Sequence, residues 1–451
     1  MTGANRGTEH PRAKGRRAFP VIGRARLTGF AGVVAGSPPI WRRILAWLAL
    51  VWFSPALTVL AASLTRGPYL QNGSSTNLTV RWRTDVATDS VVRYGTNLAH
   101  LDRVTRDARS VTEHQIELPA LRPATAYFYS IGSSDATLAG ADADHFFVTA
   151  PLPGTAKPTR LWVLGDSGTG LPGQVAVRDA YAAFTRDRHT DLWLMLGDNA
   201  YPDGTDGDYQ EKLFNLYTNT LPTSVLWPAL GNHDVRAPLP GGTYAYFEMF
   251  TLPTNGAAGG VPSGTEHYYS FDHGNLHFIC LDSMESDRTT NGPMYAWLTN
   301  DLARVTANWC IAYWHHSPYS KGSRNSDFDP QSIEMRRVFL PLLEAGGVDL
   351  VLSGHSHDYE RSFLLDGHYG SSGTLQATNK LDAGSGRADD TGAYQKPQGQ
   401  TPHQGTVYVV AGSAGENQLG ILNHPAMYIS LRGLGSLVLD IAGDRLDATF
   451  I

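Results

Sequence analysis

Five times along this 451-residue chain an apolar run stops abruptly on a polar block. The runs are LWVLGDSG (161–168), LWLMLGDNAY (192–201), SVLWPALGNHD (224–234), WCIAYWHH (309–316) and VDLVLSGHSHD (348–358). Short, continuous apolar segments bounded by glycine and polar residues read as strands buried on both faces. Helical patterns near 174–188, 293–307 and 333–345 fall between later runs. Strands alternating with helices imply an α/β architecture with sheets covered on their faces. Ligands in such sheets lie beyond the carboxyl ends of the strands, where these polar blocks fall.

The strand ends supply Asp166, Asp198, Tyr201, Asn232, His233, His315, His316, His355 and His357. Each alone is weak evidence: a lone Gly-Asp is usually a turn, and a lone His pair is usually structural. Five strand ends on one edge are different. Carboxylates, an amide and imidazoles brought together repel or go unpaired unless something positive sits among them. Metal ions are the economical explanation. Oxygen and imidazole donors without thiolate favour Fe, Mn or Zn over a Cys-type structural zinc site. Seven donors are too many for one tetrahedral ion, and one shared carboxylate gives each of two ions four.

Upstream, residues 66–150 read as a different module. Leu78, Val80 and Trp82 alternate with polar residues, and DSVVRYGT, HQIELPAL, TAYFYSIG and DHFFVTA follow at regular spacing. That pattern implies a β-sandwich. PLPGTAKP (151–158) reads as a linker.

Residues 1–64 hold nine Lys/Arg and one Glu, a local +8 that leaves −14 of the formal −6 total on the rest. An acidic body argues against nucleic-acid binding, but not against a small phosphate substrate, because bound metals supply local positive charge. Residues 44–62 carry no charge and follow Arg42 and Arg43. They read as an export signal, with an uncleaved membrane anchor as the alternative. The expected location is secreted, periplasmic or cell-surface, with a membrane involved only if 44–62 remain. Cys280 and Cys310, each in an apolar run, read as two buried thiols, with one disulfide as the minority reading.

The blocks GDSG (165–168), GDNAY (197–201), GNHD (231–234), a strand ending in His315, and GHSHDYER (354–361) resemble, in order, the signature of purple acid phosphatases within the calcineurin-like metallophosphoesterase superfamily. The upstream module is similar to the fibronectin-III-like domain that many members carry. The resemblance implies three parts: a tail and export segment (1–64), a fibronectin-III-like β-sandwich (65–150), and a four-layer α/β/β/α catalytic domain (158–451). It implies that Asp166, Asp198, Tyr201 and His357 hold one metal, and that Asp198, Asn232, His315 and His355 hold the other, with Asp198 bridging. Gly168 stands where many metallophosphoesterases have a histidine ligand, and Tyr201 restores a fourth donor as a phenolate suited to Fe(III).

His315, six residues after Trp309, fits the family spacing better than His316. The implied cofactors are Fe(III) and a divalent Zn, Mn or Fe. The implied activity is acid phosphatase hydrolysis of a small phosphate monoester by a metal-activated hydroxide, with His233 giving the leaving group its proton. Two alternatives are a phosphodiesterase on the same metals and a surface-binding protein with a vestigial catalytic domain. Where plant members carry further histidines this chain has Lys321 and Arg324, which read as phosphate contacts or, equally, as solvated loop charges.

Overall fold

The computed structural model describes residues 61–451. The export-segment reading of 44–62, apart from its last two residues, lies outside the described residues. Among those described, no helix is long and apolar enough to cross a membrane.

Six strands come first: β1 (Leu64–Gln71), β2 (Leu78–Gly95), β3 (Arg103–Leu118), β4 (Ala126–Gly132), β5 (Thr137–Gly140) and β6 (Phe146–Val148). Thr84–Asp89 has turn-like composition, yet β2 runs straight through it. The register against β3 slips between Arg83 and Ser90, so the extra residues are absorbed as an irregularity rather than a turn. The first half of β2 pairs with β1 and the second half with β4. The strands thereby close around Val80, Trp82, Val92, Tyr94, Tyr127, Tyr129 and Phe147.

The remaining elements are β7 (Thr159–Leu164), α1 (Pro172–Thr185), β8 (Leu192–Met195), β9 (Val225–Pro228), β10 (Tyr269–His273), β11 (Leu276–Cys280), α2 (Pro293–Leu302), β12 (Trp309–His316), a helical run over 330–345, β13 (Leu350–Gly354), β14 (Tyr359–Ser362), β15 (Leu364–Leu365), β16 (Lys380–Asp382), β17 (Val407–Ala411), β18 (Met427–Leu431), β19 (Leu437–Ala442) and β20 (Arg445–Phe450). One sheet has the order β20-β19-β7-β8-β9-β1-β2-β4-β5, with β3 and β6 branching from β2 and β4. The other has the order β10-β11-β12-β13-β17-β14-β18, and β15 pairs with β16 alone. β7, β8 and β9 are mutually parallel, as are β11, β12, β13 and β17.

The layers follow from which side chains share a face. In the first sheet Trp162 and Trp193 stand in register, and Trp162 stacks on Tyr181 of α1 at 4.0 Å. Trp227, on the opposite face, stacks on Phe271 of the second sheet at 3.8 Å. In the second sheet Ile311, Tyr313 and Leu352 join that inner core. Cys310, Ala312, Trp314 and Val351 instead meet Met294 and Leu298 of α2 and Phe339 and Leu343 of the helical run. The order is helix, sheet, sheet, helix. Trp227 fills the centre, and truncating such a residue to alanine costs about 3–5 kcal/mol.

Two expectations are sharpened. The five polar blocks do not end one sheet: three follow β7, β8 and β9, and two follow β12 and β13 of the other sheet. Nor is the upstream module separate, because β1 pairs with β9 at Leu70 and Val225. The Tyr69 and Tyr129 hydroxyls donate to Met249 O and Pro222 O, both at 2.8–2.9 Å. Both cysteines are free and buried. Cys280 faces the inner core and Cys310 the outer one.

Candidate metal centre

The two groups of strand ends turn toward each other by unusual backbone geometry. Asp166, Asp198 and His355 have φ of 56°, 52° and 66°. Left-handed conformations cost non-glycine residues about 1 kcal/mol or more, and they gather at functional sites. Here the cost places side chain and backbone in one knot. His355 N donates to Asp166 Oδ2 at 2.8 Å, and His233 N donates to Asp198 Oδ1 at 2.7 Å. The approach is so close that a Cβ on Gly231 would overlap the Asp198 backbone and carboxylate. A Cβ on Gly168 would likewise overlap the Asn199 carbonyl. No ligand side chain fits at 168, which agrees with Tyr201 supplying a donor in its place.

Seven predicted donors fall into two clusters. In one, Tyr201 OH lies 3.2 Å from both Asp166 Oδ1 and His357 Nε2, and His357 Nε2 lies 3.3 Å from Asp166 Oδ1. In the other, His315 Nε2 lies 3.1 Å from Asn232 Oδ1, 3.2 Å from His355 Nδ1 and 3.4 Å from Asp198 Oδ2. The Asp198 charge also acts on the Tyr201 hydroxyl of the first cluster.

Strand alternation puts His315 and His316 on opposite faces of β12. Ile311 and Tyr313 face the inner core, and His315 continues that face. His315 Nδ1 bonds Leu196 O at 2.9 Å, which turns Nε2 toward the cluster. His316 Nδ1 bonds Ser283 Oγ at 2.8 Å, and its ring lies 4.3 Å from that of His355. His316 does remain within reach of His355 and Asp329.

His233 stands apart from both clusters. Its ring lies 4.2 Å from that of Tyr201. Its Nδ1 donates to Pro202 O at 2.6 Å, and its Nε2 is 3.9 Å from Asp198 Oδ2.

Electrostatics show what the clusters lack. Burial opposes charge on His315, but Asp198 and Asp166 raise it to about 10. Burial opposes charge on Asp198 too, yet His315 and His233 hold that carboxyl well below the usual range. Burial and His315 push His355 well below an ordinary imidazole. Burial, with Asp166 and Asp198, holds the Tyr201 phenol well above its ordinary value. His357 Nδ1 is buried without a hydrogen-bond partner.

The donor set fits two cations. Oxygen and imidazole donors at about 2.0–2.2 Å from one ion stand roughly 3.0–3.4 Å from each other, and both clusters show that spacing. No protein group inside either cluster can satisfy several acceptors at once, whereas an ion can.

Some contributors escaped the sequence reading. Asp234, the last residue of GNHD, is buried and accepts from Asn199 N (3.0 Å), Gly231 N (2.9 Å) and Tyr209 OH (2.6 Å). It fastens the second block to the third. Burial and Asp198 raise its carboxyl to about 7. Ser323 Oγ accepts from His357 N at 2.8 Å, and Glu416 Oε1 lies 3.4 Å from His357 Nδ1. Lys321 pairs with Asp327 at 3.6 Å. Among the described residues Arg324 has no carboxylate partner and is exposed.

Comparisons with known proteins agree with this arrangement. The family described as calcineurin-like phosphoesterase matches residues 159–359, and the purple acid phosphatase N-terminal domain matches 66–149. Purple acid phosphatase 15 of Arabidopsis thaliana is 28% identical over 283 residues, covering 55% of this chain and 49% of that protein. An uncharacterized protein of Mycobacterium tuberculosis is 27% identical over 450 residues, covering 90% of this chain and 79% of that one. The chain spans about half the length of the plant relatives it matches, 49% and 57%. Among solved structures, a purple acid phosphatase from yellow lupin seeds shares the fold at a TM-score of 0.63 and 18% identity, over 85% of this chain and 71% of that one.

Proposed function

We propose that this chain, which carries a calcineurin-like phosphoesterase domain and a purple acid phosphatase N-terminal domain, hydrolyses phosphate monoesters at a dinuclear metal centre. The observation that carries this reading is the meeting of seven donors in two clusters, Asp166, Tyr201 and His357 in one and Asp198, Asn232, His315 and His355 in the other. In this reading Asp166, Asp198, Tyr201 and His357 hold one ion, and Asp198, Asn232, His315 and His355 hold the other. A phenolate oxygen is a hard anionic donor, so the first ion is Fe(III) and the second a divalent Zn, Mn or Fe. When bound, the two ions supply Lewis-acid charge for the phosphate oxygens and acidify the attacking water.

The protein's own part is orientation and proton delivery. The bond from His315 Nδ1 to Leu196 O fixes the inward tautomer of that ligand. Asp234 holds the Asp198 and Asn232 turns at one spacing. In the hydrolysis, the water oxygen bonds to phosphorus and the bond from phosphorus to the alcohol oxygen breaks. The departing alkoxide needs a proton. His233 carries it on Nε2, because Nδ1–H is already committed to Pro202 O. Water gives up its own proton to the medium, and the products are an alcohol and inorganic phosphate.

We take residues 65–150 as a fibronectin-III-like module that braces the catalytic part, 158–451. The apolar segment 44–62 with its basic flank supports export to the periplasm, surface or medium. The test is hydrolysis of 4-nitrophenyl phosphate and its bis-ester before and after chelation. The monoester is expected to have the higher kcat/KM, with turnover lost on chelation and restored by Fe and Zn. Preference for the bis-ester turns the reading into a phosphodiesterase. Turnover that survives complete metal removal contradicts the metal centre.

A further inference from the structure

Two loops lie over the GHSH turn that carries His355 and His357. One follows β12 (317–329) and the other follows β17 (412–424). Hydrogen bonds tie them to that turn and to each other. His357 N donates to Ser323 Oγ at 2.8 Å, Gln418 N to His357 O at 3.1 Å, and Leu422 N to Lys321 O at 2.8 Å.

These loops carry an anomaly. Among the described residues, the three most exposed large apolar side chains are Phe328 (81%), Leu419 (78%) and Ile421 (74%), all on these two loops; the next, Leu152, is 54% exposed. Two of them adjoin in sequence the site's own contacts, and Ile421 adjoins Leu422, which bonds the other loop at Lys321 O. Phe328 precedes Asp329, whose Oδ2 is 3.6 Å from His355 Nε2. Leu419 follows Gln418, which bonds His357 O. Holding such groups in water forgoes hydrophobic stabilisation, and exposed apolar side chains gathered in one place mark a recognition surface. The exposed Arg324, without a carboxylate partner, sits in the same loop as Phe328, one residue from Ser323. A cation suited to phosphate and apolar groups suited to hydrocarbon therefore occupy one rim.

We infer that this rim binds the alcohol part of the substrate, and that the preferred substrates are phosphate esters of apolar alcohols, aryl or alkyl. The inference rests on the monoesterase reading above. The donor clusters take the phosphate and Arg324 faces its remaining charge. Phe328, Leu419 and Ile421 cover the hydrocarbon. Sugar and other polar phosphates leave those side chains in water and gain nothing from them.

The test uses the metal-loaded full chain and a series of n-alkyl phosphates from methyl to octyl, kept monomeric in solution. The matching n-alkyl phosphonates are titrated by calorimetry. Both kcat/KM and phosphonate affinity are expected to rise by up to about fourfold for each added methylene until the rim is covered. The F328S/L419S/I421S variant should flatten that rise, and Phe328→Ser alone should weaken it. Leu152→Ser, a change at an exposed apolar residue of the linker, should leave the rise intact. A wild-type rate and affinity independent of chain length overturns the inference, as does a triple variant that keeps the full slope. Either result leaves the hydrolase reading standing, because the short esters are still cleaved. Failure to cleave any ester or bind any phosphonate removes both readings together.

Discussion

At the amino end of the second sheet His277 is buried between two carboxylates; at the carboxyl end His315 is buried among three acceptors. The first cluster is complete. His277 Nδ1 lies 2.7 Å from Asp272 Oδ1 and Nε2 lies 2.9 Å from Asp301 Oδ2. The other Asp301 oxygen accepts from Ser270 Oγ and Val261 N. Both imidazole nitrogens there have a carboxylate partner. The second cluster is incomplete. His315 Nε2 faces Asn232 Oδ1, His355 Nδ1 and Asp198 Oδ2, atoms that all offer lone pairs. The same residue types thus carry opposite meanings. A buried cluster that satisfies itself holds the fold together, and one whose donors face each other is built for something that arrives later.

Breaking the complete cluster should hurt the fold and spare the chemistry. Asp301→Ala leaves the buried His277 with Asp272 alone and the Ser270 and Val261 donors without an acceptor, and unfolding in urea should show a loss of about 3–5 kcal/mol. Activity per folded molecule should stay near wild type.

The pH dependence sharpens the contrast. Burial opposes charge on His277, but Asp272 and Asp301 raise it to about 9 from an ordinary 6.5. A raised value means that the folded protein holds the proton more tightly than the unfolded chain. The stabilisation is therefore fully present below pH 6.5 and fades as pH rises through about 9. It amounts to a few kcal/mol, on the order of 3 at most. Urea midpoints across that range should fall for the wild type and fall less for His277→Gln. A His277→Gln slope equal to that of the wild type contradicts this account.

A smaller effect is expected at the incomplete cluster from Tyr201→Phe. The hydroxyl near Asp166 and His357 is lost while the ring over His233 remains. Affinity for the first ion should drop by roughly 10–100-fold. On the proposed assignment of Tyr201 as a phenolate ligand of Fe(III), any visible absorption band should disappear. A band that persists in the variant contradicts the assignment to Tyr201.

The sequence showed the site more fully than the fold. Gly-Asp, Gly-Asn-His and Gly-His after apolar runs were legible because strand ends crowded with polar residues are rare and each needs its glycine for close approach. The face of His315 was only hinted at by spacing and became plain from alternation with Ile311 and Tyr313. Asp234 stood in a recognised block, but its part is bonding to backbone of neighbouring turns, which no residue pattern announces. The unbroken β2 was hidden by the turn-like Thr84–Asp89, overridden by pairing with β3. The joining of β1 to β9 rests on one long-range pair, Leu70 with Val225. The apolar rim was hidden too, since exposure of Phe328, Leu419 and Ile421 depends on how loops fold rather than on periodicity.

Asp198 is the carboxylate proposed to serve both ions, so the most direct test is elemental analysis of wild-type protein and the Asp198→Ala variant, alongside turnover of 4-nitrophenyl phosphate. Two ions per wild-type chain are expected, with metal content and turnover lost together in the variant. A variant that keeps full turnover, or a wild-type protein that hydrolyses the ester without metal, contradicts the account.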